Sequence, residues 1–75
     1  MANYTMLTQS NCKYCTAAKG LLSTHGHTVD EYDVQDPTWK DTVAELKKTN
    51  TVPQIYSPAG RFIGGYTELK EHLKG

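Results

Sequence analysis

Two thiols three residues apart, Cys12 and Cys15, are the part of this sequence best equipped for chemistry. A bond between them closes a tiny loop and barely restrains the unfolded chain, so stabilising the fold is not their purpose. What they can do is exchange. If Cys12 opens a helix, its sulfur meets the unpaired N–H groups and the positive end of the dipole, and both favour the thiolate. Lys13 adds a cation beside it. Thiols in such settings have pKa values of roughly 3.5 to 7.5 in place of about 8.5. One turn later, Cys15 is within reach of a mixed disulfide formed on Cys12. Cys12 is therefore read as the nucleophile and Cys15 as the resolving thiol. The competing chemistry is a metal site completed by His25 and His27. Their His-x-His spacing, after a gap of nine residues, is not the His-x₃₋₅-His of a structural zinc finger. His25 and His27 read instead as polar residues around a helix end, and His72 as an exposed helix residue.

Two further segments have binding potential. Thr51-Val52-Pro53 places a proline at the entry to a strand, where a cis bond marks a constrained turn. Such a turn leaves the N–H and C=O of Val52 available to an extended peptide; a trans proline opening an edge strand is the plainer alternative. Gly64-Gly65-Tyr66-Thr67-Glu68 combines two glycines that permit close backbone approach with a following helix whose first N–H groups suit a carboxylate. Its plainer alternative is a strand-to-helix turn capped by Thr67.

The elements that must position these residues follow from periodicity. Asn3–Thr8 alternates in the manner of a strand. Ser10-Asn11 then caps a helix starting near Cys12, with Ala17, Ala18, Leu21 and Leu22 at helical spacing and Gly26 as its stop. Thr28–Val34 reads as a second, acidic strand. Asp36-Pro37 supplies a cap and a first-turn proline for a second helix. That helix has Trp39, Val43 and Leu46 as its buried stripe and ends at Lys47-Lys48 and Asn50. Gln54–Ser57 and Arg61–Ile63 form a hairpin around Pro58-Ala59-Gly60. Leu69 and Leu73 mark a last helix from about Thr67. The order βαβαββα requires a parallel pair joined by a right-handed crossover and a closing antiparallel pair. The expected fold is α/β, a four-stranded mixed sheet flanked by three helices.

Composition narrows the class. Seventy-five residues are one small domain by size, 1–75, and a chain this short buries only about 60% of its unfolded surface. Eight basic residues balance eight acidic ones, which removes the electrostatic case for nucleic acid or an anionic membrane. No window approaches the ~20 apolar residues of a membrane span, and the first residues lack a secretory signal pattern. Two cysteines are too few for a disulfide-stapled secreted scaffold, so the cytoplasm is the expected compartment. Asp30, Glu31, Asp33, Asp36, Asp41 and Glu45, opposed only by Lys40, read as a solvated acidic face.

Taken together, Cys-Lys-Tyr-Cys after the first strand, Thr-Val-Pro-Gln-Ile before the third and Gly-Gly-Tyr-Thr-Glu at the last helix resemble the glutaredoxin family. The resemblance runs in order from about Asn3 to Leu73 and implies a thioredoxin-like sandwich. It implies a glutathione-dependent oxidoreductase, without a metal, that reduces protein disulfides and glutathione mixed disulfides. Cys12 would hold the glutathionyl adduct and Tyr14 would wall the cleft. Thr51 and Val52 would contact the tripeptide, with Pro53 cis. Tyr66, Thr67 and Glu68 would hold the γ-glutamyl end. Two positions depart from the family pattern: Lys13 stands where proline is familiar, and Gln9 where lysine or arginine is common. Lys13, or Lys40 of the second helix, is then left to meet the glycyl carboxylate. Expected partners are glutathione and disulfide-containing proteins, ribonucleotide reductase being customary in the family, with the protein itself a monomer. Two alternatives share the fold: a redoxin reduced by thioredoxin reductase, and an iron–sulfur carrier in which two chains share a cluster through Cys12 and two glutathiones.

Overall fold

A computed structural model describes residues 2–46 and 52–74. The chain begins with β1 (Asn3–Thr8), α1 (Lys13–Thr24) and β2 (Thr28–Asp33). A 3₁₀ turn (Pro37–Trp39) leads into α2 (Lys40–Leu46), followed by β3 (Gln54–Tyr56), β4 (Phe62–Gly64) and α3 (Tyr66–Lys74). The sheet order is β2-β1-β3-β4. β1 runs parallel to β2, with Asn3 opposite Thr28 and Thr8 opposite Asp33, while β1–β3 and β3–β4 are antiparallel. This is the expected mixed sheet with helices on both faces, a thioredoxin-like fold.

β1 is central and buried on both faces, which its alternation alone does not announce. Tyr4 and Met6 pack with Ala18 and Leu22 of α1, Ile55 of β3 and Leu69 of α3. Leu7, on the other face, packs with Val43 of α2 and Tyr56 of β3. Burying a leucine- or methionine-sized side chain contributes about 1.5–3 kcal/mol, and Met6, Leu7, Leu22, Ile55 and Leu69 are all fully buried. The Tyr56 hydroxyl donates to the Leu46 carbonyl, tying β3 to the end of α2. Burial pushes the Tyr56 pKa up.

Two local expectations change. Trp39 is on the surface, edge-on to Tyr32 at 4.9 Å. Residues 37–39 turn as a 3₁₀ helix, whose rotation of about 120° per residue takes Trp39 out of phase with Val43. The cap at Asp36 is as expected, its Oδ1 accepting the Thr38 N–H at 2.9 Å. Second, Ser10 and Asn11 do not cap α1; Cys12 does. The expected ending of the second helix at Lys47-Lys48 and Asn50 lies outside the described residues. Gly26, at φ 77°, takes the left-handed position after α1 that favours glycine.

Candidate active site

The end of β1 delivers the chain into the Cys12 turn. Asn11 adopts φ 62°, a left-handed conformation that asparagine tolerates better than most residues. This turn sets Cys12 in extended geometry at the N-cap of α1, where its Sγ accepts the Cys15 N–H at 3.2 Å. The sulfur therefore fills the role normally taken by a Ser or Asp oxygen. The first turn of α1 contains no acidic residue that would compete for those N–H groups. The Cys12 carbonyl accepts the Thr16 N–H at 3.2 Å and the Thr16 hydroxyl at 3.3 Å, which fixes the turn. Cys12 and Cys15 are joined in a disulfide with Cα atoms 5.2 Å apart. Cys12 is half-buried, whereas Cys15 is 3% exposed. An incoming thiol meets Cys12 first.

Two depressions flank this pair. A cleft of about 220 Å³ is lined by Tyr14, Val52, Pro53, Tyr66 and Thr67. The Tyr14 and Tyr66 rings stand 6.0 Å apart, Pro53 is buried, and the Val52–Pro53 peptide is cis. Residues expected from three distant stretches of sequence are thus brought together. Thr51 lies outside the described residues. A larger groove of about 700 Å³ is lined by Cys12, Lys13 and Cys15 together with Gln9, Lys19, Glu31 and Asp33.

At α3, Glu68 and not Thr67 closes the helix start: its Oε1 accepts the Gly65 N–H at 2.8 Å. This is half of a capping box, with the third helical residue reaching back to the N-cap. The arrangement also explains Gly64. Its φ is 129°, and a Cβ there would stand 2.8 Å from Glu68 Cγ. Gly65 lies against the Pro53 carbonyl, 3.6 Å from where its Cβ would be, which brings the α3 entry onto the cis-proline turn.

His25 and His27, the residues that would complete a metal site with the two cysteines, are placed apart from Cys12. His25 caps the C-terminal end of α1, a 12-residue helix, so it lies about 18 Å along the axis from Cys12. His27 accepts the Ala2 N–H through Nδ1 at 3.2 Å and lies against the Tyr4 ring. Among the described residues, no group of three or more His, Cys, Asp and Glu side chains could hold a metal ion. The groove residues Lys19, Glu31 and Asp33 escaped the sequence reading. Lys19 had a signal, since it follows Cys12 and Thr16 at helical spacing; Glu31 and Asp33 needed the β1–β2 register.

Comparison with known proteins agrees with this geometry. A family model described as Glutaredoxin matches residues 4–63. Glutaredoxin 3 of Escherichia coli K12 is 36% identical over 70 residues, covering 92% of this chain and 83% of that protein. The crystal structure of glutaredoxin 1 from Francisella tularensis, complexed with cacodylate, superposes with a TM-score of 0.75 at 28% identity over 96% of this chain and 92% of that one. A buckwheat glutaredoxin–glutathione complex shares the fold, with a TM-score of 0.77 at 20% identity over 95% of this chain and 67% of that one. No helix among the described residues is long and apolar enough to cross a membrane.

Proposed function

Because the chain belongs to the glutaredoxin family, we propose that it is a glutathione-dependent thiol–disulfide oxidoreductase acting on protein disulfides and glutathione mixed disulfides. The observation that carries this reading is the placement of the sulfurs, with Cys12 accessible at the N-cap of α1 and Cys15 buried one turn inside. In the reduced protein, the Cys12 thiolate attacks one sulfur of a substrate disulfide. That S–S bond breaks, a mixed disulfide forms on Cys12, and the departing thiolate takes a proton from water. Cys15 then yields its proton to solvent and attacks Cys12 Sγ. The Cys12–Cys15 bond forms and the second substrate thiol leaves, completing a two-electron reduction. Two glutathiones return the electrons and become glutathione disulfide. With a glutathione mixed disulfide, Cys12 keeps the glutathionyl group until a second glutathione removes it.

The cleft beside Cys12 is the proposed seat of the tripeptide. Tyr14 and Tyr66 form its walls, and the Val52 backbone, beside Thr51 and Pro53, pairs with the peptide. Thr67 and the N–H groups opening α3 take the γ-glutamyl carboxylate, with Glu68 near the ammonium. Lys13 meets the glycyl carboxylate. We further read residues 1–75 as one glutaredoxin domain, monomeric and cytoplasmic, with ribonucleotide reductase among its protein-substrate candidates. The test is turnover of a glutathione–cysteine mixed disulfide coupled in parallel to glutathione reductase with glutathione, and to thioredoxin reductase. Faster NADPH oxidation in the first system is expected. Turnover only in the second would assign the chain to the redoxins driven by thioredoxin reductase.

A further inference from the structure

The groove on the Gln9 side of Cys12 is larger than the cleft proposed for glutathione, about 700 against 220 Å³, and differs from it in chemistry. One wall is α1, with Lys13 and Lys19; the other is β2, with Glu31 and Asp33. Glu31 and Asp33 alternate along β2 on the side facing α1, and β2 is the edge strand of the sheet among the described residues. Lys19 and Glu31 neutralise one another across the groove, Nζ to Oε2 at 3.0 Å. The charges that remain are Lys13 and Asp33. Among the described residues neither belongs to an ion pair, and there Asp33 Oδ1 accepts only the Gln35 N–H, at 2.8 Å. A cation on the residue next to the reactive sulfur and an anion on the opposite wall thus stand uncompensated among the described residues.

We propose that this groove docks polypeptide disulfide substrates and favours those with an acidic side chain beside the attacked cysteine and a basic side chain further along the chain. The acid meets Lys13 and the base meets Asp33. The inference rests on the oxidoreductase reading above and adds the substrate class. In the dithiol route no glutathione is bound when Cys12 attacks a protein disulfide, so Lys13 is available. Cys12 then forms a mixed disulfide with the bound cysteine, and the other substrate sulfur leaves as a thiol. Cys15 releases the docked chain by closing the Cys12–Cys15 disulfide, so the two electrons come from the protein's own thiols.

The experiment compares two disulfide-linked peptides of equal composition. One carries Asp beside its cysteine and Lys two to four residues on; the other has the two charges exchanged. Wild-type protein should show a higher kcat/KM on the first by about two- to fivefold per exposed charge pair. Asp33→Asn, which keeps an oxygen for the Gln35 N–H, should lose the part of the preference due to the basic residue, and Asp33→Lys should reverse it. Both variants should match wild type on the glutathione–cysteine mixed disulfide, which controls for folding. Equal kcat/KM for both peptides in wild type, or a preference unchanged by both Asp33 variants, overturns the docking groove alone. Wild type that reduces neither the peptides nor the glutathione disulfide overturns the oxidoreductase reading beneath it.

Discussion

Lys13 offers a quantitative probe of how the fold activates Cys12. The lysine is the first residue of α1, exposed and without an ion pair among the described residues, so its ammonium acts on the neighbouring sulfur largely through water. For an ammonium and a thiolate taken as ~7 Å apart in a dielectric near 80, Coulomb's law gives an attraction of about 0.6 kcal/mol. The helix terminus contributes about 0.3–1 kcal/mol, rising to ~2 in partly buried geometries such as that of Cys12. The helix end is thus the main activator and Lys13 a tuner. Lys13→Gln should shift the thiol–thiolate balance of Cys12 toward the thiol by roughly threefold. Stabilising the thiolate stabilises the reduced protein, so its loss makes the pair more reducing, by about 13 mV for two electrons. Alkylation rates of Cys12 against pH give the first quantity and equilibration with glutathione gives the second. Both differences should fade at 1 M salt, where the screening length is about 3 Å. A balance that does not move at low salt would place the ammonium away from the sulfur. A tenfold movement would mean that Lys13 is held against Cys12, and the water-screened estimate would fail.

Cys15→Ser should retain turnover of glutathione mixed disulfides, which needs Cys12 alone, and lose most protein-disulfide reduction; equal losses in the two assays would refute the monothiol route. Gly64→Ala should destabilise the protein by about 1–3 kcal/mol in denaturant melts, since φ 129° is strained for alanine and the new methyl meets Glu68 Cγ. It should also raise KM for glutathione, because the start of α3 moves. Tyr56→Phe should cost about 0.5–1.5 kcal/mol by removing the hydroxyl bond to the Leu46 carbonyl. Burial raises the Tyr56 pKa, so folding favours the neutral phenol. That stabilisation is complete below the unfolded value near 10 and is lost as pH rises through the folded one. The stability gap between wild type and Tyr56→Phe should therefore be constant to about pH 9 and narrow above it.

What could be read from the sequence was whatever depends on local pattern. The alternation of β1, the Asp36-Pro37 start and the order βαβαββα need only neighbouring residues, and each appears in the structure. What escaped depends on phase or on partners. Trp39 reads as core only if residues 37–46 form one continuous α-helix; the 3₁₀ turn shifts its phase and exposes it. Ser10 and Asn11 have good capping side chains, yet the left-handed turn at Asn11 moves the cap one residue on and gives that place to a sulfur. Gly64 and Gly65 suggested room for a ligand's backbone, but at Gly64 the space is taken by the protein's own Glu68. The groove beyond Cys12 is the clearest case. Glu31 and Asp33 belong to an acidic run that reads as a solvated face, and only the parallel register, with Thr8 opposite Asp33, brings that run beside the turn that carries Cys12. The same register explains why a balanced net charge of zero is uninformative here: opposite charges on opposite walls cancel in the total while leaving a polarised groove at the reactive sulfur.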